Sequence, residues 1–135
     1  MWEAYGLENE DLLWAGIPFL GGIGGRQEAP CGVISASAIS VGFRYRCPMS
    51  DKEKAKKSRT EARELSSELI DGFTDRFGAI SCSDLIGLDM SDPAEYLKFQ
   101  ESGIWKEKCF RFIEFAIEKL YEFENRGESH PFPIL

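Results

Sequence analysis

The strongest constraint in this chain is a stripe of apolar residues at helical spacing. Ala62, Leu65, Leu69, Phe73 and Phe77 recur at steps of three and four residues, which puts their side chains on one face of an α-helix. Ahead of the stripe, Ser50-Asp51-Lys52-Glu53 reads as a capping box, with an acceptor at Ser50 and a carboxylate three residues on. Gly78 is a natural stop. The spacing predicts one helix from about Ser50 to Phe77, with an apolar face that has to be buried.

A second stripe, Cys109, Phe112, Ala116, Leu120 and Phe123, predicts a last helix from about Ile104 to Asn125, ended by Arg126-Gly127. Asp92-Pro93-Ala94-Glu95 opens another helix with proline at its first position, and Ser102-Gly103 interrupts it. Residues 1–14 read as helix broken near Gly6. Between Cys31 and Arg44 the β-branched residues Val33, Ile34, Ile39 and Val41 would suit a strand. Ile34, Ala38 and Val41 also form a helical stripe, and the small Ser and Ala residues around them suit a closely packed helix. Helix is the reading taken, with Gly42 near its end. No alternating strand pattern stands out. The expected fold is all-α, a compact helical bundle of about five helices with a Gly-rich crossover loop at Gly21-Gly22-Ile23-Gly24-Gly25.

Composition narrows the function. A chain of 135 residues is one domain's worth, and the whole of 1–135 reads as a single helical domain. Its 16 basic and 23 acidic residues give a net charge of -7. That balance opposes general nucleic-acid binding, which needs a basic footprint, and attraction to anionic membranes. The best apolar stretch, Leu12 to Ile23, is too short to span a bilayer and contains Pro18 and three glycines. Glu3, Glu8, Glu10 and Asp11 precede any basic residue, unlike a secretory signal. A cytoplasmic protein with no membrane span and no nucleic-acid partner is expected. The one basic run, Lys52, Lys54, Lys56, Lys57, Arg59 and Arg63, reads as a solvated helix face before it reads as a dock for an acidic partner. His130 lies in a Ser-His-Pro-Phe-Pro tail, a poor setting for a general base.

The chemistry-bearing residues are the cysteines at 31, 47, 82 and 109, none of them in a CxxC pair. Cys31 follows the Gly-rich loop and Pro30 and heads a predicted helix. There the unpaired amides and the helix dipole should lower its pKa, as a ligand or reactive thiol requires. The plain alternative is a small buried cysteine. Cys82 lies just past a helix end, a position open to either a ligand or a half-buried loop thiol. Cys109 falls on the apolar face of the last helix and reads on that ground as a core residue. Cys47, in Tyr45-Arg46-Cys47-Pro48, reads as incidental. The glycine cluster lacks the preceding strand and following Lys-Ser/Thr of a phosphate loop. It reads as a tight crossover, or as a set of amides donating to an anionic group beside Cys31.

These residues together resemble a known family. Phe19-Leu20-Gly21-Gly22-Ile23-Gly24-Gly25, followed by Cys31-Gly32-Val33-Ile34-Ser35-Ala36-Ser37-Ala38, resembles the F-x-G-G-I-G … C-G-A-x-x-G-A core of redox-active proteins named for a C-GCAxxG-C-C cysteine pattern. Phe73-Thr74-Asp75-Arg76-Phe77-Gly78-Ala79-Ile80-Ser81-Cys82-Ser83-Asp84-Leu85-Ile86-Gly87 is similar to that family's F-x-x-x-F-G-S-I-x-C-x-x-L-L-G segment. Lys108-Cys109 is similar to its last cysteine. The resemblance runs from about residue 5 to 123.

It implies a helical protein that binds a redox prosthetic group, an iron–sulfur cluster or another thiophilic metal, for electron transfer. Cys31, Cys82 and Cys109 would be the metal ligands, and the backbone at Gly22, Gly24, Gly25 and Gly32 would line the cofactor. The implied partner is a redox protein or an oxidoreductase complex. The family's first cysteine lies on a helix upstream of the loop; residues 1–5 read as the remnant of that helix, and the cysteine is absent here. Ala36 replaces a motif glycine, Cys47 has no counterpart, and 127–135 reads as a C-terminal tail. Apolar surface around Trp2, Tyr5 and Trp14 would then favour a homo-oligomer. The alternatives are metal-free thiol–disulfide chemistry, with Cys31 attacking and Cys82 or Cys109 resolving, and a degenerate member acting as an interaction module.

Overall fold

The computed structural model describes residues 9–126. The helix read over 1–14 lies partly, and the aromatic residues Trp2 and Tyr5, the tail from 127 and His130 wholly, outside the described residues. Among those described, six α-helices and no strand make an all-α bundle. They are α1 (Asp11–Gly16), α2 (Gly32–Arg44), α3 (Lys52–Phe77), α4 (Cys82–Ile86), α5 (Pro93–Ser102) and α6 (Phe110–Arg126). A 3-10 turn, Ile17–Phe19, follows α1, and a π-helical turn, Trp105–Cys109, leads into α6. No helix among the described residues is long and apolar enough to cross a membrane.

Three helices, α2, α3 and α6, pack on one another around the core. The α3 stripe supplies its centre: Leu69 and Phe73 are fully buried, while Ala62, Leu65 and Phe77 pack against the core's edge. From α6 come Phe112, Ala116, Leu120 and Phe123, and from α2 come Ile34 and Val41. Ring centroids of Phe73 lie 4.7 Å from Phe77 and 5.5 Å from Phe112, and Phe115 meets Phe73 edge-on at 5.7 Å. Tilted and edge-on pairs at these separations are favourable beyond the area they bury. Ser37 and Ser40 share the buried side of α2. Their small size permits the close packing, and Ser37 satisfies its hydroxyl by donating to the Val33 carbonyl at 2.7 Å.

The helix ends follow local chemistry, with two adjustments. The α3 cap is Asp51, one residue beyond the expected Ser50; its carboxylate accepts from the Lys54 amide at 3.1 Å. Both residue types are competent caps. The helix expected to start near Ile104 begins as the π turn, so regular α-geometry starts only at Phe110. Asp92 caps α5 by accepting from the amides of Ala94 and Glu95, with Pro93 in the first turn. Gly78 ends α3 with φ 80°, a left-handed conformation that costs glycine nothing.

Every residue in 21–25 has positive φ, including Ile23 at 62°. A β-branched residue there is strained by about 1–2 kcal/mol. Gly22 is obligatory for a second reason: a Cβ on it would stand 2.7 Å from the Ala29 carbonyl oxygen. A Cβ on Gly32 would stand 2.9 Å from the Phe19 carbonyl oxygen. The two absent side chains let the turn after α1 close onto the start of α2.

Candidate thiol centre

Three chain segments meet at the foot of α2. Pro30 and Ser81 form an isolated antiparallel bridge, and the Cys31 amide donates to the Ile80 carbonyl at 2.7 Å. The chain entering α2 therefore runs beside the chain entering α4. Cys31 is the N-cap of α2, and Cys82 is the first residue of α4, after the Ser81 cap. Cys109 closes the π turn. Cys31 is buried in the core cluster, with Cys82 and Cys109 half-buried against it. All three are free thiols.

Their electrostatics show that they share one neighbourhood. Burial pushes the Cys82 thiol up, the nearby Cys31 raises it further, and a hydrogen bond from the Gln27 side chain opposes both. Burial also raises Cys109, with added contributions from Cys31 and Cys82, while the Lys108 ammonium lowers it. Cys47, between α2 and α3, does not figure among these influences. The structure thus brings together the three cysteines singled out by sequence and leaves the fourth aside.

The expected depressed pKa at Cys31 is not observed. Its thiol is raised, because desolvation outweighs the amides of Val33 and Ile34 that favour the thiolate. The sulfur makes no cap hydrogen bond of ordinary geometry, so the helix start acts weakly on it. Burial thus favours the protonated form at all three thiols.

Of the glycines expected to line a cofactor, Gly24 and Gly25 use their amides inside the loop, donating to Pro18 at 2.7 Å and Leu20 at 3.1 Å. Gly22 and Gly32 act by the absence of a side chain. Two further residues of the site escaped the sequence reading. Gln27 is 4% exposed and ties the loop to the segment after α4. Its Nε2 donates to the Leu88 carbonyl at 3.0 Å, and its Oε1 accepts from the Met90 amide at 2.7 Å. Lys108 donates from Nζ to the carbonyls of Leu85 and Ile86 at 3.1 and 3.0 Å, clamping the C-terminal end of α4 where a cation is favoured. A lysine directly before a cysteine was a visible signal; a glutamine in a glycine-rich loop was not.

Over residues 1–123 the chain matches the family described as "Putative redox-active protein (C_GCAxxG_C_C)". It belongs to that family. No curated protein and no solved structure matches it. Membership makes the three clustered thiols, rather than the basic face of α3, the place to seek redox chemistry. As arranged, no group of three or more His, Cys, Asp or Glu side chains among the described residues could hold a metal ion.

Proposed function

We propose that Cys31, Cys82 and Cys109 are the thiolate ligands of an iron–sulfur cluster or thiophilic metal, in a small electron-transfer protein. The observation that carries this reading is the convergence of three free thiols from three separate segments on one core cluster, Cys31 within it and Cys82 and Cys109 packed against it. Three soft donors in a half-buried setting suit the group chemically. A single ion would draw its ligands into contact, and these three are not that close. In a cluster the thiolates would be shared among more than one iron and could stand further apart than the ligands of one ion, which favours a cluster over a lone ion. Three thiolates are one short of the usual four, and the remaining ligand would come from outside this set.

Bound, such a cluster supplies one-electron chemistry. The chain's own part is separable. Cys31, Cys82 and Cys109 release their protons on loading, which couples assembly to pH. Lys108 offsets part of the charge that appears. Gly22 and Gly32 let the loop, with Gly24 and Gly25, close against the Cys31 segment. A redox protein or oxidoreductase complex in the cytoplasm would be the partner. The exposed apolar side chains of Leu13, Trp14, Ile17, Leu20 and Ile23 support contact with it or with a second copy in a homo-oligomer.

The test is anaerobic purification followed by a visible spectrum and iron, zinc and sulfide assays. Brown protein with stoichiometric iron and sulfide, bleached by Cys31→Ser, is expected. Colourless, metal-free protein after anaerobic reconstitution with iron and sulfide would sink the reading.

The side-by-side course of the chain at Cys31 and Cys82 favours a second reading, thiol–disulfide exchange. Two protein thiols would become one disulfide while a partner disulfide becomes two thiols, so electrons and protons balance. An unchanged free-thiol count after incubation with an oxidised dithiol excludes it.

A further inference from the structure

The α6 helix carries two apolar faces, and the core uses one of them. Phe112, Ala116, Leu120 and Phe123 are buried. Phe110, Ile113, Ile117 and Tyr121 recur at the same three- and four-residue steps, and each is 40–64% exposed. Helical phase sets these four on one stripe. Its place in the bundle follows from its neighbours. Phe115 meets Phe73 and Phe77 of α3 edge-on, and Lys119 pairs with Glu68 of α3 at 3.9 Å, so that flank of α6 faces α3. Ile113 and Ile117 lie on the other flank, the side of α2, on which α6 also packs. From Gly32 to Phe43, α2 carries no charged side chain, and its open side shows Ala36 and Ile39. A helix face meant for water would show charge there. The exposed parts of Ile39 and the four α6 side chains amount to roughly 400 Å², the scale at which an apolar patch marks an interaction site.

Charge says what covers this surface. Glu114 and Glu118 border the stripe, are exposed, and form no ion pair among the described residues. Like charges four residues apart on a helix repel, and a cation set opposite them relieves it. A second copy of the chain is a poor match, because its stripe would bring the same two carboxylates against these. The basic run on α3 cannot serve either, since the apolar face of that helix is already in the core. Residues 1–8 and 127–135 hold no Lys or Arg.

We infer that this surface of α6 and α2 docks an amphipathic helix of another protein, one whose apolar stripe is edged by Lys or Arg. From Phe110 to Tyr121 the stripe is about three turns long, the reach of a short helix laid beside α2 and α6 as a fourth member of the bundle. Its apolar residues would supply the affinity, and Glu114 and Glu118 the choice of partner and its orientation. Phe110 directly follows Cys109, so one end of the docked helix lies beside the thiol centre. The inference stands independently of what that centre binds.

The experiment uses the full chain under reducing conditions and two labelled model helices about three turns long. One has leucines at this spacing edged by lysine; the other has the same leucines edged by glutamate. Fluorescence anisotropy follows binding. The lysine helix should bind, one per chain, and the glutamate helix should not. Ile117→Asp should weaken binding of the lysine helix at least about tenfold, although it makes the chain more acidic. Replacing both carboxylates, Glu114→Gln with Glu118→Gln, should weaken it about fivefold at low salt. Trp14→Ser, at an exposed apolar side chain ahead of the Gly-rich loop, should leave it unchanged. Should Ile117→Asp fail to fold, Tyr121→Ser alters the most open of the four side chains, with about a fivefold loss expected.

Equal binding of the two helices, or no binding of the lysine helix, overturns the inference. So does undiminished binding in Ile117→Asp or Tyr121→Ser, which would reduce the attraction to net charge. A dimer seen by sedimentation and dissolved by Ile117→Asp would give the surface to a second copy and overturn it likewise.

Discussion

The Gly-rich loop allows steric fit and backbone strain to be measured apart, by replacing Gly22 and Gly24 with alanine one at a time. Both glycines have nearly the same backbone, with φ of 68° and 62°, so alanine meets a similar left-handed penalty of about 1–2 kcal/mol at each. Their surroundings differ. A Cβ at position 24 meets nothing within 4 Å, whereas one at position 22 lies 2.7 Å from the Ala29 carbonyl oxygen and 3.1 Å from the Gln27 Cα. Both neighbours are backbone, so no side-chain rotation relieves the overlap. Overpacking of this kind adds about 1–3 kcal/mol. Gly24→Ala should therefore lose about 1–2 kcal/mol and Gly22→Ala about 2–5 kcal/mol. Urea unfolding followed by far-UV circular dichroism gives both values on one scale, with unchanged slopes if the unfolded state is the same. Because the Gly22 clash pushes on Gln27, alkylation of Cys82 should change in Gly22→Ala and stay as in the parent in Gly24→Ala. Equal stability losses, or a larger loss at Gly24, would refute the reasoning.

Other perturbations reach the core and the remaining parts of the site. Phe73→Ala removes the fully buried ring at the centre of the α3–α6 aromatic cluster and should destabilise by about 3–5 kcal/mol in the same urea assay. Lys108→Met removes two charge-assisted hydrogen bonds to the end of α4. A loss of about 1–3 kcal/mol is expected, with faster alkylation of Cys82 as α4 loosens. Stability should also fall with alkaline pH. The three thiols are raised above the ordinary cysteine value, so the unfolded chain releases their protons first, from about pH 8.5. Their contribution is complete below that pH and is lost as pH climbs toward the folded values. Urea midpoints at near-neutral and alkaline pH should show this fall, and it should shrink when Cys82 and Cys109 are both serine.

How far these features can be read from sequence depends on the distance over which they are determined. The stripes of α3 and α6 are local periodicities, and their buried faces match the expectation residue for residue at Leu69, Phe73, Phe112, Ala116, Leu120 and Phe123. The stops at Gly78 and Gly103 and the Asp92-Pro93 start are equally local. Cys31, Cys82 and Cys109 were legible through family motifs, since spacing alone made Cys109 a core residue. The Cys31 pKa was misread because a helix start is visible in sequence while burial is not, and burial is the larger effect. Gln27 was missed for a related reason. Its partners Leu88 and Met90 lie far along the chain, and no short-range pattern marks a polar residue for burial. The π turn before α6 carries no local signature.

The thiols also occupy related positions on the backbone. Cys31 caps α2 and Cys82 opens α4, where amides have no partner within the helix and the dipole favours negative charge. Cys109 ends the one stretch that departs from regular α-geometry on the way into α6, and it lies beside the Lys108 ammonium. Two influences therefore compete at the same atoms. Desolvation favours the neutral thiol, while amides, dipole and ammonium favour charged sulfur. With only protons to hold, desolvation prevails at all three sites. A bound cation shifts that balance, because it supplies positive charge where burial has removed water, and the weaker protein donors then act in the same direction. At neutral pH a centre built this way would favour the protonated thiols until something positive arrived. Proton release on metal addition, measured in weakly buffered solution, should be lost step by step as Cys31, Cys82 and Cys109 are replaced by serine, and replacing Cys47 should leave it unchanged.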